Sequence, residues 1–164
     1  MSDAPLPDLE HLRFLLHEVD QRIAYQRDEW DGLDRKATTV LATTGVVLGL
    51  VVNNAEAFAA TPSPGPTLFI VALCALVGGL VTGVITLWPR EFKVVPQPGP
   101  FLERYGGTAT NLTMGTLVTT KADAFQDNLP TLIWKLRALR AQMGLLTGAS
   151  VVLVIVLVLR EVMK

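Results

Sequence analysis

The sequence is poor in reactive side chains. Its 164 residues include one cysteine, Cys74, two histidines and three serines. A single cysteine excludes a disulfide framework and any Cys-rich zinc site. So few serines and histidines leave little material for hydrolase chemistry. Charge is also scarce: Asp, Glu, Lys and Arg make up 18% of the chain, where a soluble domain carries about 25%. The net charge is −1, so no global basic field attracts nucleic acid, and no such partner is expected. G-x-x-x-x-G-K-[ST], G-x-G-x-x-G after a strand, H-E-x-x-H and G-x-S-x-G are all missing. Neither an enzyme nor a bound cofactor is expected. What the chain has in quantity is apolar surface. Half of its residues are hydrophobic and the mean hydropathy is +0.40, which points to a membrane protein.

Three segments are long and apolar enough to matter. Thr67 to Trp88 has 22 residues and no charge. As a helix it measures about 33 Å, matching a hydrocarbon core of about 30 Å. Trp88 sits at its end, where an indole favours the interface, and Pro89 and Arg90 stop it. Ala37 to Val52 is shorter and carries four threonines. Their hydroxyls can bond back to helix carbonyls, which makes them tolerable in lipid. This helix is expected to extend through Asn53 and Asn54 toward Ala60. Gly144 to Leu159 is the third, with Leu136, Leu139 and Met143 extending its apolar side and Arg140 free to snorkel. No span contains an ionisable group, so no intramembrane proton relay is expected. The acidic, Pro-containing start shows no cleavable signal peptide.

The 14 Lys and Arg residues divide unevenly. Five precede residue 37, none lies between Asn53 and Pro66, and seven lie between residues 89 and 143. With three spans, 12 of the 14 fall on one side, which the positive-inside rule makes the cytoplasm. The N-terminus is then cytoplasmic in a multi-pass protein of the cell membrane.

Leu9, Leu12, Leu16, Val19, Ile23, Gln26, Trp30, Leu33 and Ala37 step by three and four, a heptad seam continuing into Val40, Thr44 and Val47. One continuous helix is expected, with Gly32 as its weak point. Phe125, Leu129, Leu132, Leu136, Leu139, Met143 and Leu146 form a second seam. Pro130 fits a first turn capped by Asp127 or Asn128, so the third long helix is expected to start near residue 128. The predicted fold is all-α, with about three transmembrane helices and long cytosolic amphipathic extensions. It divides into a stalk over 1–36, spans over 37–60 and 67–88, an external loop at 61–66, a cytosolic linker over 89–127, and a cytosolic helix entering the third span over 128–164. Gly45 and Gly49, Gly79 and Gly83, and Gly144 and Gly148 are small-xxx-small pairs that permit close helix approach, within one chain or between copies.

His11 and His17 are six apart, the wrong spacing for one helix face, and read as solvated. Asp28, Glu29, Asp31 and Asp34 read as a solvated acidic face rather than a cation site. Arg35, Lys36, Arg90, Lys93, Arg104 and Lys121 suit topology and lipid anchoring. They also suit a phosphate pocket, where Tyr105 or Phe101 would stack on a base.

The order of these features is recognisable. An amphipathic helix leads to Asp34-Arg35-Lys36-Ala37 opening the first span. The second span ends in Trp88-Pro89-Arg90, and a linker precedes Ile133, Lys135, Leu136 and Arg137. The chain resembles the Pycsar transmembrane effectors of bacterial antiphage defence over roughly residues 9 to 159, with Asp34, Lys36, Ala37, Pro89 and Arg90 as the matching marks. The resemblance implies a partner cyclase that makes cyclic CMP or cyclic UMP. It also implies an effector that binds the nucleotide, oligomerises or rearranges, and impairs the inner membrane before phage matures. Arg90, Lys93, Arg104 and Tyr105 are the expected ligand contacts. A scaffold subunit and a holin-like pore former are the alternatives left by the residues themselves.

Overall fold

The computed structural model describes residues 8–59, 61, 63–88, 90–93 and 110–163, and every regular element among them is helical. Helix α1 spans Leu9–Asn53, α2 Ala55–Ala59, α3 Gly65–Leu87 and α4 Thr110–Val162. Three of them, α1, α3 and α4, are long and apolar enough to cross a membrane. The all-α membrane architecture is therefore as the sequence predicts.

Asp8 starts α1. Its carboxylate accepts from the Glu10 amide at 3.3 Å and its carbonyl from the Leu12 amide, which satisfies donors left over at a helix start. The helix then runs for 45 residues. Its predicted seam is the inward face: Leu12, Ile23, Gln26, Trp30, Leu33, Ala37 and Thr44 are all buried, and so is Val51, one turn past the predicted end at Val47. The threonines bond back as expected, Thr39 to the Arg35 carbonyl and Thr44 to that of Val40. The expected continuation to Ala60 is interrupted. The Asn54 amide turns back to the Val51 carbonyl and its side chain donates to that of Leu50 at 2.8 Å, so the helix ends at Asn53.

Helix α4 departs further from expectation. It begins at Thr110, not near residue 128, and Pro130 lies inside it. An interior proline removes a backbone bond and costs about 3 kcal/mol. The turns before it are held by side-chain contacts that a cap at Asp127 or Asn128 would have forfeited, as described below. The seam of α4 is also displaced. Leu139 is buried, but Met143 is 51% exposed, and the most enclosed positions belong to Lys135, Gln142, Ala149 and Val156.

The described chain forms two compact units. One comprises Met1–Asp31 and Arg90–Ile133, the other Gly32–Pro89 and Trp134–Lys164; α1 and α4 each contribute to both. The second unit contains α2, α3 and a core of Val51, Phe58, Ala72, Leu76, Ala149, Leu153 and Val156. Phe58 stacks on Phe69 at 5.2 Å. Its outer surface is apolar, with Val46, Leu50, Ile70, Val81, Val154 and Val158 exposed, the arrangement expected of helices solvated by lipid.

Candidate functional site

Within the first unit, charged and polar groups tie α1 to α4. Lys121, its side chain 11% exposed, pairs with Asp20. The Gln26 amide donates to the Phe125 carbonyl at 3.2 Å. The segment after α3 is clasped onto α4 by reciprocal bonds: the Lys93 amide donates to Asn128 Oδ1 and Asn128 Nδ2 to the Lys93 carbonyl, both at 3.0 Å. Lys93 Nζ also meets Asp127 Oδ2 at 2.7 Å, which holds the ammonium above the usual lysine range. Beside this clasp, Phe92 packs edge-on against buried Trp30 at 5.3 Å. Asp127 and Asn128 thus hold the segment after α3 and do not cap a helix.

An open cleft of about 330 Å³ lies in the same unit, with Leu15, Val19, Ala122 and Phe125 as its floor and Glu18, Arg22 and Gln126 at its edge. It adjoins a second concavity bordered by Gln21, Arg22, Tyr25 and Phe125. Arg22 is bonded to Glu18 at 3.2 Å. The Tyr25 phenol, bonded to Glu29, is held above its ordinary titration range. Between them the two concavities are lined by the rings of Phe125 and Tyr25 and by a guanidinium engaged with Glu18, groups of the kinds used in base stacking and phosphate contact.

Within the second unit, Lys135 Nζ lies 2.7 Å and 2.9 Å from the two oxygens of Asp34. The Lys135 side chain is 2% exposed and Asp34 34%. Asp34 and Lys135, read from sequence as separate marks before the first and third spans, are thus one ion pair. Ala37, one turn above Asp34, is fully buried, whereas Lys36 faces outward. One heptad beyond Lys135, Gln142 is fully buried and neither amide atom has a partner. Each such orphaned group costs about 1–3 kcal/mol. The amide lies against Gly83, where a Cβ would overlap Gln142 Nε2 and sit 2.8 Å from Leu41 Cδ1. Gly79 likewise faces Thr44 and Leu145, while a Cβ at Gly45, Gly49, Gly144 or Gly148 would meet nothing within 4 Å.

Of the expected ligand contacts, Arg90 is exposed and engaged in another interaction, and Lys93 is held by Asp127. Arg104 and Tyr105, with the family mark Pro89, lie outside the described residues. The acidic face is partly committed: Glu29 serves Tyr25 and Asp34 serves Lys135. No group of three metal-ligating side chains occurs among the described residues. His17 Nε2 lies 3.0 Å from Gln21 Nε2.

Gln142 went unnoticed in the sequence and Asn128 was read as a cap, although a signal for their shared face was there. Lys121, Asn128, Lys135 and Gln142 recur every seventh residue, and Lys121 and Lys135 meet acids at one constant offset of 101 residues.

A family model described as Pycsar effector protein domain matches residues 18–134. No curated protein and no solved structure matches the chain.

Proposed function

Because the chain belongs to the Pycsar effector protein domain family, we propose that it is the membrane effector of a cyclic-nucleotide antiphage system. It binds cyclic CMP or cyclic UMP made by a partner pyrimidine cyclase, acts as a homo-oligomer, and impairs the bacterial inner membrane to cause abortive infection. The observation that carries this reading is the family match, which covers most of the chain. Three membrane-length helices support the site of action. The distribution of lysine and arginine supports a cytoplasmic N-terminus, which puts the first unit where a cytosolic second messenger reaches it.

In this reading, Arg90, Arg104 and Tyr105 contact the nucleotide, and Lys93 joins them by exchanging Asp127 for the cyclic phosphate. A ligand shifts a two-state assembly only through differential affinity. Loosening the Lys93 clasp on binding supplies such a difference.

The test is equilibrium binding of labelled cyclic CMP and cyclic UMP to the detergent-purified full chain, with cyclic AMP, cyclic GMP and linear CMP as controls. Saturable binding selective for a cyclic pyrimidine is expected. Binding of none of these by folded protein would return the scaffold subunit and the holin-like pore former as the working alternatives. Expression separates those two: a scaffold is harmless, a holin is toxic alone, and the effector becomes toxic with its cyclase.

A further inference from the structure

The most exceptional side chain of the second unit is Gln142. Thr44 and Thr86 are equally buried there, but their hydroxyls bond to the carbonyls of Val40 and Thr82 on their own helices. Lys135, one heptad earlier, is neutralised by Asp34. Gln142 alone among these has neither a local nor a cross-helix partner for its amide. Its amide and Leu41 of α1 both close on the space beside Gly83 of α3, where a side chain would otherwise stand. A leucine of similar volume would fill this space without an orphaned donor or acceptor. The amide therefore weakens the closed packing, and the bare position 83 leaves room for the amide and for Leu41 without either having to shift.

We propose that Gln142 is the gating residue of the membrane bundle, sealed and unpaired in the resting state and hydrated when the bundle opens. Opening restores hydrogen bonds that the closed state denies, so a modest push from outside suffices to shift the balance. The gate deepens the membrane-impairment reading given above and rests on it. The nucleotide is not part of the gate itself, so the two stand or fall separately.

Leakage of carboxyfluorescein from liposomes of anionic phospholipid, reconstituted with the full chain and without nucleotide, tests the gate. Gly83→Ala, whose methyl overlaps the amide, is expected to leak at least tenfold faster than wild type. Adding Gln142→Ala, which removes the amide and leaves Leu41 Cδ1 as the methyl's close neighbour, brings leakage most of the way back to the wild-type rate. Gln142→Leu leaks no faster than wild type. Gln142→Glu keeps the test open should Gly83→Ala fail to fold. Its carboxyl mimics the amide while protonated and demands water once ionised. Leakage by Gln142→Glu is therefore expected to rise at least tenfold from pH 5 to pH 9, while Gln142→Leu stays flat. Its neighbours Leu41 and Gly83 carry no titratable group, and the ionisable groups one heptad back, Lys135 and Asp34, are locked in their pair.

Leakage of Gln142→Glu that does not change with pH overturns the gate, as does leakage of Gly83→Ala that Gln142→Ala does not reduce. Cyclic-nucleotide binding by wild type with no leakage from any variant overturns the gate and leaves the ligand reading intact. Leakage as predicted, with no nucleotide bound by wild type, upholds the gate and removes the ligand reading.

Discussion

Two lysine–aspartate pairs, one in each unit, differ in their surroundings far more than in their chemistry. Lys121 meets Asp20 where the acid is 49% exposed; Lys135 meets Asp34 with the lysine 2% exposed and the acid 34%. In the first unit water reaches the acid and screens the pair in part, although the Lys121 side chain is itself 11% exposed. In the second, removing the acid strands an ammonium in a poorly solvated interior. The same two residue types thus form an adjustable tie in one place and an obligatory one in the other.

The most direct way to break this comparison is at Asp34. Asp34→Ala is expected to destabilise the detergent-solubilised chain by about 3–5 kcal/mol, read as loss of helical signal on thermal or denaturant unfolding. The double replacement Asp34→Leu/Lys135→Met should recover most of that loss, because no charge is then left unpaired. Equal losses at Asp34 and Asp20 would erase the distinction. Asp20→Ala, which leaves a mostly buried lysine beside a more open rim, is expected to cost less, about 1–3 kcal/mol, and its effect to shrink as salt is raised. Gly32 sharpens the comparison from the other direction. It is helical and a Cβ there would meet nothing within 4 Å, so Gly32→Ala should stabilise by about 0.5–1 kcal/mol. A loss of stability there would reveal a bend that the helix needs. The smallest effect belongs to Lys93. Its ammonium titrates above the ordinary lysine value because of its hydrogen bond to, and charge pairing with, Asp127. The stability this contributes is present below that value and is lost as pH rises through the raised one. Asp127→Asn should bring the titration back toward the ordinary lysine value, as followed by nitrogen-detected NMR.

The sequence made some of these elements plain and concealed others, for physical reasons. Helix α3 was legible because an uncharged run of membrane length has few other solutions. The seam of α1 was legible because its periodicity is carried mostly by apolar side chains, and those are the buried ones. The inward face of α4 was hidden because its most enclosed positions include Lys135 and Gln142, which a reading of apolar periodicity assigns to solvent. Its start was misplaced because Asp127-Asn128-Leu129-Pro130 has the local form of a helix start. What decides the matter is Lys93, 35 residues away from Asn128 in sequence. Of the expected ligand contacts, Arg90 and Lys93 lie among the described residues, and the acid that occupies Lys93 was outside any motif.

The seven-residue spacing has a consequence for how the chain finds its native pairing. Along α1 the positions Arg13, Asp20, Arg27 and Asp34 alternate in sign at intervals of seven. Their partners on α4, Lys121 and Lys135, are separated by two such intervals. A heptad repeat alone tolerates slippage by one repeat, since apolar layers look alike. Here, slipping α4 by one repeat toward the start of α1 brings Lys121 beside Arg13 and Lys135 beside Arg27. The opposite slip brings Lys121 beside Arg27 and leaves Lys135 against Leu41. Each wrong alignment places cation against cation or buries a charge beside an aliphatic chain. The alternation is an error check: a helix made long after its partner can dock at one alignment and is refused at the two nearest alternatives.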